Sequence, residues 1–266
     1  MLEIEDVDRV VGRLRAAGCV YAEDEAALLV TEATDESALE AMVARRVAGE
    51  PLEHLLGWAE FAGLRIEVDP GVFVPRRRTE LLVTEALRLL AGRSGDGPPP
   101  VVVDLCCGSG ALGAAVASQM AVELYAADVD PAAVRCARRN VDPLGGVVVL
   151  GDLVEPLPPA LRGTVDVLLA NVPYVPTDGI ATMPPEARDH EARVALDGGA
   201  DGLDVLRRVA LLAPSWLAPG GSVLMEVGER QVDAALAALT ASGLVARVLR
   251  DADLGATALA ATRPRL

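Results

Sequence analysis

The sequence predicts an α/β fold, a doubly wound parallel sheet preceded by a small all-α N-terminal domain and a β-hairpin linker, on three observations. The first is the alternation of β and α signals from residue 101 onward. Val101–Leu105 is a continuous apolar run, as in a strand buried on both faces. Ala111–Met120 reads as helix, Val122–Ala127 as strand, and Pro131–Asn140 as helix with proline in its first turn. Val147–Leu150 and Val165–Ala170 read as strands, followed by a helix at 201–213, the strand Ser222–Val227, a helix at 230–241 and one final strand. Strands and helices in strict alternation wind a parallel sheet. The second observation is helical spacing between Ile4 and Ala48, as in Val7, Val10, Val11 and Leu14. Gly18 and Gly49 mark helix ends there, and Asp35 is placed to cap a helix carrying Leu39, Met42 and Val43. The third lies in 61–74, where Ile66 and Val68 alternate with Glu67 and Asp69, and Asp69-Pro70-Gly71 turns the chain into Val72-Phe73-Val74. A helix from Thr79 to Leu90 and a Gly/Pro-rich loop at 92–100 follow. The expected division is a helical domain at 1–60, a hairpin linker at 61–78 and an α/β domain at 79–266.

Composition narrows the chemistry. The 266 residues carry 24 basic and 39 acidic side chains, a net charge of -15, and every basic residue is arginine. Without lysine there is no Walker-type phosphate loop, Schiff-base chemistry or Ser-Lys hydrolase. The two histidines, His54 and His190, cannot supply a three-histidine zinc site, stand in no HExxH frame and are read as non-catalytic, so no metal is expected. The acidic balance is a poor footprint for gripping a phosphate backbone, which makes nucleic acid an unexpected partner. Aromatic residues are 3% of the chain, so the core is built from Ala, Val and Leu. The four cysteines, two of them adjacent, form no disulfide framework. The acidic start Met1–Asp6 is unlike a signal peptide, and no run approaches the ~20 apolar residues of a membrane span, so a soluble cytoplasmic protein is expected.

Two segments carry the functional signal. Asp104-Leu105-Cys106-Cys107-Gly108-Ser109-Gly110-Ala111-Leu112-Gly113 joins a strand to a helix, its glycines spell GxGxxG, and Asp128 stands at the end of the next strand. That is formally a dinucleotide fingerprint. Asp104 argues against a pyrophosphate, which it would repel, and for a ligand with an ammonium group. S-adenosyl-L-methionine (SAM) has an ammonium, a sulfonium and no phosphate. Asp152 stands where an acid could accept from an adenine amino group or, alternatively, be a solvated loop acid or a helix cap. The second segment, Asn171-Val172-Pro173-Tyr174, follows a strand at the carboxyl edge where open α/β sheets bind ligands. An amide nitrogen is a poor nucleophile, because its lone pair is delocalised. Methylating one requires acceptors for both N–H groups, which an Asn oxygen and a backbone carbonyl provide, with an aromatic ring walling the planar group.

These residues resemble the PrmC/HemK family of protein-(glutamine-N5) methyltransferases, which modify the Gly-Gly-Gln glutamine of peptide chain release factors. The similarity covers nearly the whole chain: Gly49 to Gly57 with Phe61, Phe73-Val74-Pro75-Arg76 with Thr79-Glu80, Asp104 to Gly110, Asp197-Gly198-Gly199 with Asp201-Gly202, and Gly220-Gly221 leading to Glu226, Gly228 and Gln231. The resemblance implies a Rossmann-like SAM-dependent methyltransferase domain in which Asp104, Cys106, Gly108, Ser109, Gly110, Asp128, Val129, Asp152, Leu153 and Asn171 surround SAM. Phe73, Arg76, Thr79, Asn171, Pro173 and Tyr174 would bind substrate, and Asn171, Val172, Pro173 and Tyr174 would be catalytic. Thr79 could also be a helix N-cap, and Phe73 a core anchor. The implied partner is a release factor.

Three departures from the family pattern stand out. NVPY replaces NPPY, Cys106-Cys107 replaces Gly-Thr, and Arg77-Arg78 replaces a proline followed by an acid. Val172 keeps a backbone carbonyl but loses the fixed φ of proline. These changes leave open a paralogue acting on a different protein, a small molecule or a nucleic-acid amino group. Arg76, Arg77 and Arg78 form a basic cluster that could meet an acidic partner or simply face solvent.

Overall fold

The computed structural model describes residues 4–92 and 97–265. Met1–Glu3 and residues 93–96 of the expected Gly/Pro-rich loop lie outside them. Helices α1 (Ile4–Ala16), α2 (Ala22–Glu32), α3 (Glu36–Val47) and the short α4 (Leu52–Leu56) open the chain. Their apolar stripes meet in a core of their own, with Val10, Leu14, Leu29, Leu39 and Val43 fully buried. Asp35 caps α3 as its position predicts, accepting from the Ala38 N–H at 2.8 Å. Strands β1 (Trp58–Phe61) and β2 (Leu64–Glu67) then form an antiparallel hairpin.

That hairpin starts earlier than the sequence predicts and straddles the expected boundary at residue 60. Its turn is Ala62-Gly63, both in the left-handed region, which is the geometry a two-residue hairpin loop requires. Asp69-Pro70-Gly71 does turn the chain, with the Val72 N–H bonded to the Asp69 carbonyl. The segment after it stays extended without joining the hairpin.

Helix α5 (Glu80–Ala91) leads into the sheet, whose elements are β3 (Val101–Leu105), α6 (Ala111–Gln119), β4 (Glu123–Asp128), α7 (Pro131–Val141), β5 (Val147–Leu150) and β6 (Val165–Ala170). Short helices α8 (Pro185–His190) and α9 (Arg193–Leu196) precede α10 (Asp204–Trp216), β7 (Leu217–Glu226), α11 (Val232–Ala241), β8 (Val245–Asp251) and β9 (Ala256–Thr262). The seven strands lie in the order β5-β4-β3-β6-β7-β9-β8, parallel except for β9, which runs antiparallel to β7 and β8. The doubly wound α/β expectation therefore holds. The single final strand of the sequence reading becomes a pair, because β9, Ala-Thr-Ala-Leu-Ala-Ala-Thr, is poor in the β-branched residues that signal a strand. It is a strand because it fills the gap between β7 and β8, where Ala258, Leu259 and Ala261 are buried.

Alternation along the strands divides the core between two faces. Val102 packs with α5, α6 and α7, while Val103 and Leu105 pack with α10 and α11. Chain order reverses between β3 and β6, so their carboxyl ends form a topological switch point. Register then places the functional loops. Leu105 pairs with Ala127 and Ala170, and Ala170 pairs with Met225. The residues one step further, Cys106, Asp128, Asn171 and Glu226, therefore leave the sheet side by side.

The helical bundle is tied to this edge by a buried arginine. Arg46 of α3 donates to both carboxylate oxygens of Glu25 in α2, at 2.6 and 3.1 Å, and to Glu186 of α8 at 2.6 Å. Among the described residues, no helix is long and apolar enough to cross a membrane.

Two glycines of the GxGxxG serve packing. Gly110 is left-handed at φ +77°, and a Cβ on it would lie 2.8 Å from Val141 of α7; one on Gly113 would lie 2.9 Å from Leu124 of β4. Gly110→Ala is expected to cost about 2–4 kcal/mol in urea unfolding, combining backbone strain with overpacking. In a Val141→Ala background the steric part should shrink, while the tight approach to Ala137, 3.2 Å from the same Cβ, and the backbone part remain. A penalty unchanged by Val141→Ala would refute the steric assignment.

Candidate active site

The carboxyl edge at the switch point opens into a cavity of about 320 Å³. Its floor on one side is the glycine loop. Cys107 N–H bonds the Ala127 carbonyl at 3.1 Å, and Gly110 N–H bonds the Cys107 carbonyl at 2.7 Å. The Asp128 carboxylate accepts from the N–H of Gly108 and of Asp130, each at 2.9 Å. Asn140 of α7 braces the loop from behind, donating to the Ser109 and Glu67 carbonyls at 2.8 and 2.9 Å and so linking it to the hairpin. Cys106 and Leu153 are non-glycine residues with positive φ, at 54° and 50°, and both face the cavity. Such backbone strain is tolerated where the surroundings impose it and clusters at functional sites. Burial pushes both Cys106 and Cys107 thiols up, with nearby aspartates adding to it, so neither is a ready nucleophile.

The cavity wall includes most of the expected residues: Cys106, Gly108, Ser109, Asp128, Val129, Asp152, Leu153, Asn171, Val172, Pro173 and Tyr174, with Phe73, Arg76 and Thr79 opposite. Two expected residues are not on it. Gly110 is turned into helix packing. Asp104 lies fully buried under the loop, with one oxygen accepting from the Gly113 N–H at 2.9 Å and the other without a partner among the described residues. His54 and His190 are also absent from the wall; His54 is buried with Nε2 2.8 Å from the Val72 carbonyl.

This half of the cavity suits a cation. Asp128, Asp130 and Asp152 face it, and its arginine, Arg208, is held by Asp152 at 2.6 Å. Burial raises the Asp128 carboxyl, and pushes Asp104 up to about 8. Acceptors with a desolvated carboxyl beneath them match the ammonium, sulfonium and ribose hydroxyls of SAM and mismatch a pyrophosphate.

The other half is built on Asn171, whose Oδ1 is buried without a hydrogen-bond partner among the described residues. The Val172 carbonyl likewise accepts no bond among them. Tyr174 closes this loop. Its hydroxyl donates to Glu226 at 3.0 Å and accepts from Arg78 Nη2 at 2.6 Å. Burial beside Glu226 pushes the phenol up to about 12. Glu226, 3% exposed, also accepts from Arg78 Nε at 2.8 Å and from Thr79 Oγ1 at 2.5 Å. Thr79 is therefore no N-cap: its hydroxyl is committed to Glu226, and its backbone is already helical. Arg76 stacks 5.0 Å over Phe73 and donates to buried Glu191, which also accepts from the Val74 N–H at 3.1 Å. The basic cluster is thus not a shared solvated face: Arg76 and Arg78, though 29% and 42% exposed, pair with buried glutamates, and Arg77 is exposed.

Sequence reasoning did not assign Arg78, Glu191 or Glu226 to the site. For Glu226 a signal existed, an acid ending a buried apolar strand, the same pattern as Asp128. Arg78 and Glu191 meet it only through tertiary contacts.

The raised Asp104 carboxyl makes stability pH-dependent. Between about 3.8 and about 8 the folded protein keeps a proton that the unfolded chain has lost, so this group's contribution falls as pH rises through that window. Asp104→Asn should therefore raise the Tm of the ligand-free protein more at pH 8 than at pH 4. Equal shifts at both pH values would contradict the burial cause.

Comparisons with known proteins agree with this construction. Residues 64–188 match the family model described as Methyltransferase small domain. The chain is 38% identical over 210 residues to the release factor glutamine methyltransferase of Geobacter sulfurreducens, covering 78% of this chain and 71% of that one. It is also 38% identical over 203 residues to a protein of Streptomyces pristinaespiralis named 4-amino-L-phenylalanine/4-methylamino-L-phenylalanine methyltransferase, covering 76% and 69%. Among solved structures, a ribosomal protein L11 methylase from Lactobacillus delbrueckii subsp. bulgaricus shares the fold, with TM-score 0.52 and 18% identity over 75% of this chain and 85% of that one. With a glycine loop and an Asn-Val-Pro-Tyr loop facing each other across one cavity, and this identity over most of both chains, the protein belongs to the release factor glutamine methyltransferase family.

Proposed function

We propose that this chain transfers a methyl group from S-adenosylmethionine to the side-chain amide nitrogen of a protein glutamine, with the Gly-Gly-Gln glutamine of a peptide chain release factor as substrate. The observation that carries the reading is the pair of unpartnered acceptors, Asn171 Oδ1 and the Val172 carbonyl, set beside the glycine loop in the same cavity. Relatives named release factor glutamine methyltransferases support it. When bound, SAM supplies an electrophilic methyl group.

The chain's own residues do the rest. Asp128 and Asp152 line the cofactor half with Leu153 and Val129, and buried Asp104, protonated below about pH 8 in the ligand-free protein, holds the loop from beneath through the Gly113 N–H. Asn171 Oδ1 and the Val172 carbonyl accept the two amide N–H groups and orient the nitrogen; once the N–C bond forms that nitrogen is strongly acidic, and the proton it sheds leaves along one of these hydrogen bonds to bulk solvent, so no titratable base is needed. Both acceptors are neutral, and a buried acceptor without a donor costs about 1–3 kcal/mol, so a substrate that brings two donors is favoured. Phe73, Pro173 and Tyr174 wall the planar amide and exclude water. Glu191 and Ala192, between α8 and α9, also line the cavity, with the Ala192 N–H on the Gly71 carbonyl.

Asn171→Ala is expected to lower kcat/KM about 100- to 1,000-fold, the usual loss for a positioned donor or acceptor at a reacting group, with the protein still folded. Mass spectrometry of the Gly-Gly-Gln peptide after incubation with SAM and a purified release factor decides the substrate; no methyl gain there would sink it. A second reading, N-methylation of a free amino acid, is favoured by the relative named for 4-amino-L-phenylalanine. Turnover of that amino acid without turnover of the release factor would establish it instead.

A further inference from the structure

Tyr174 is held from two sides by groups that no other part of the site requires. Arg78, from the 3₁₀ turn Arg77–Thr79, sends Nε to Glu226 and Nη2 to the Tyr174 hydroxyl. Glu226, at the carboxyl end of β7, gathers Thr79, Arg78 and Tyr174 on its two oxygens. Three distant segments, 78–79, 171–174 and 226, are thereby joined at one buried carboxylate. A planar fork with fixed donors makes two such bonds at once, which a lysine cannot reproduce. An acid at 78, as in the pattern this chain resembles, would instead face Glu226 with like charge. The same loop carries Val172 where that pattern has proline, so its backbone φ is free.

We infer that Arg78 is a positioning residue: by gripping the Tyr174 hydroxyl and Glu226 together, it holds the Asn171–Tyr174 loop in place, supplying the restraint that a proline at 172 would otherwise give. Two departures from the family pattern are then one linked change. The inference rests on the proposed role of Asn171 and Val172 for its catalytic consequence, but the restraint itself is independent of the substrate.

Hydrogen–deuterium exchange of the full chain tests it without substrate. Arg78→Met should speed exchange across 171–176 roughly tenfold, as expected for losing hydrogen bonds to a charged group, while the central strands stay protected. Adding Val172→Pro to Arg78→Met should return the loop toward wild-type exchange, and Arg78→Lys should be intermediate. Tyr174→Phe keeps the ring and both charges and should loosen the same segment, which covers the case in which Arg78→Met fails to fold. In methyl transfer to the release factor, Arg78→Met should lower kcat roughly tenfold or more while the Kd for SAM stays near wild type. Unchanged exchange at 171–176 in Arg78→Met and Tyr174→Phe, or no recovery with Val172→Pro, would overturn the inference. A wild-type protein that leaves the release factor unmethylated but shows the expected exchange pattern would refute the substrate and leave the restraint standing.

Discussion

Largely buried carboxylates beside the carboxyl edge of the sheet hold the main segments that frame the cavity. Asp104 binds the Gly113 N–H at the start of α6, and Asp128 gathers the Gly108 and Asp130 N–H groups. Glu226 collects Arg78, Thr79 and Tyr174, and Glu191 takes Val74 and Arg76. A desolvated carboxylate is costly unless donors converge on it, so each one organises whatever backbone or side chain lies within reach. The acidic character of this chain is thus partly architectural. Its charges hold the loops around the cavity in place.

The two halves of the cavity are electrostatically distinct for the same reason. On the glycine-loop side, acceptors outnumber donors and the local arginine is tied to Asp152, which suits a ligand with an ammonium and a sulfonium. On the Asn171 side, Arg76 and Arg78 are each neutralised by a buried glutamate. What remains open there is a pair of neutral acceptors. That combination is matched to an uncharged amide, and it needs no lysine and no histidine.

The helical bundle reaches the site through a short chain of contacts. Arg46 joins α2 and α3 to Glu186 of α8, and α8 ends beside Glu191, which fixes the Phe73–Arg76 segment on the cavity wall. Removing Glu25 from beside Arg46 costs about 3–5 kcal/mol, because both are buried and a charge is stranded, whereas Glu186 is half exposed and its bridge is worth less. The bundle is therefore coupled to the wall of the site by salt bridges that span 140 residues of sequence in the case of Arg46 and Glu186.

The sequence by itself determined the order of elements, the parallel character of most of the sheet and the two facing loops, because those are written in local apolar runs, glycines and strand-end acids. Asp128 and Asn171 were legible for that reason. The extra strand β9 was not, since an alanine-rich segment becomes a strand only when neighbours on both sides bury it. The hairpin closes at Ala62-Gly63 rather than at Asp69-Pro70-Gly71, because strand pairing decides which of two nearby turns joins the strands. Thr79 and Arg78 changed meaning altogether. A hydroxyl before a helix and an arginine in a basic run read locally as a cap and a solvated charge, but both are drawn to Glu226, nearly 150 residues away. Only the tertiary structure could decide this, because a buried carboxylate takes its donors from whatever the fold brings near it, and sequence spacing does not encode that distance.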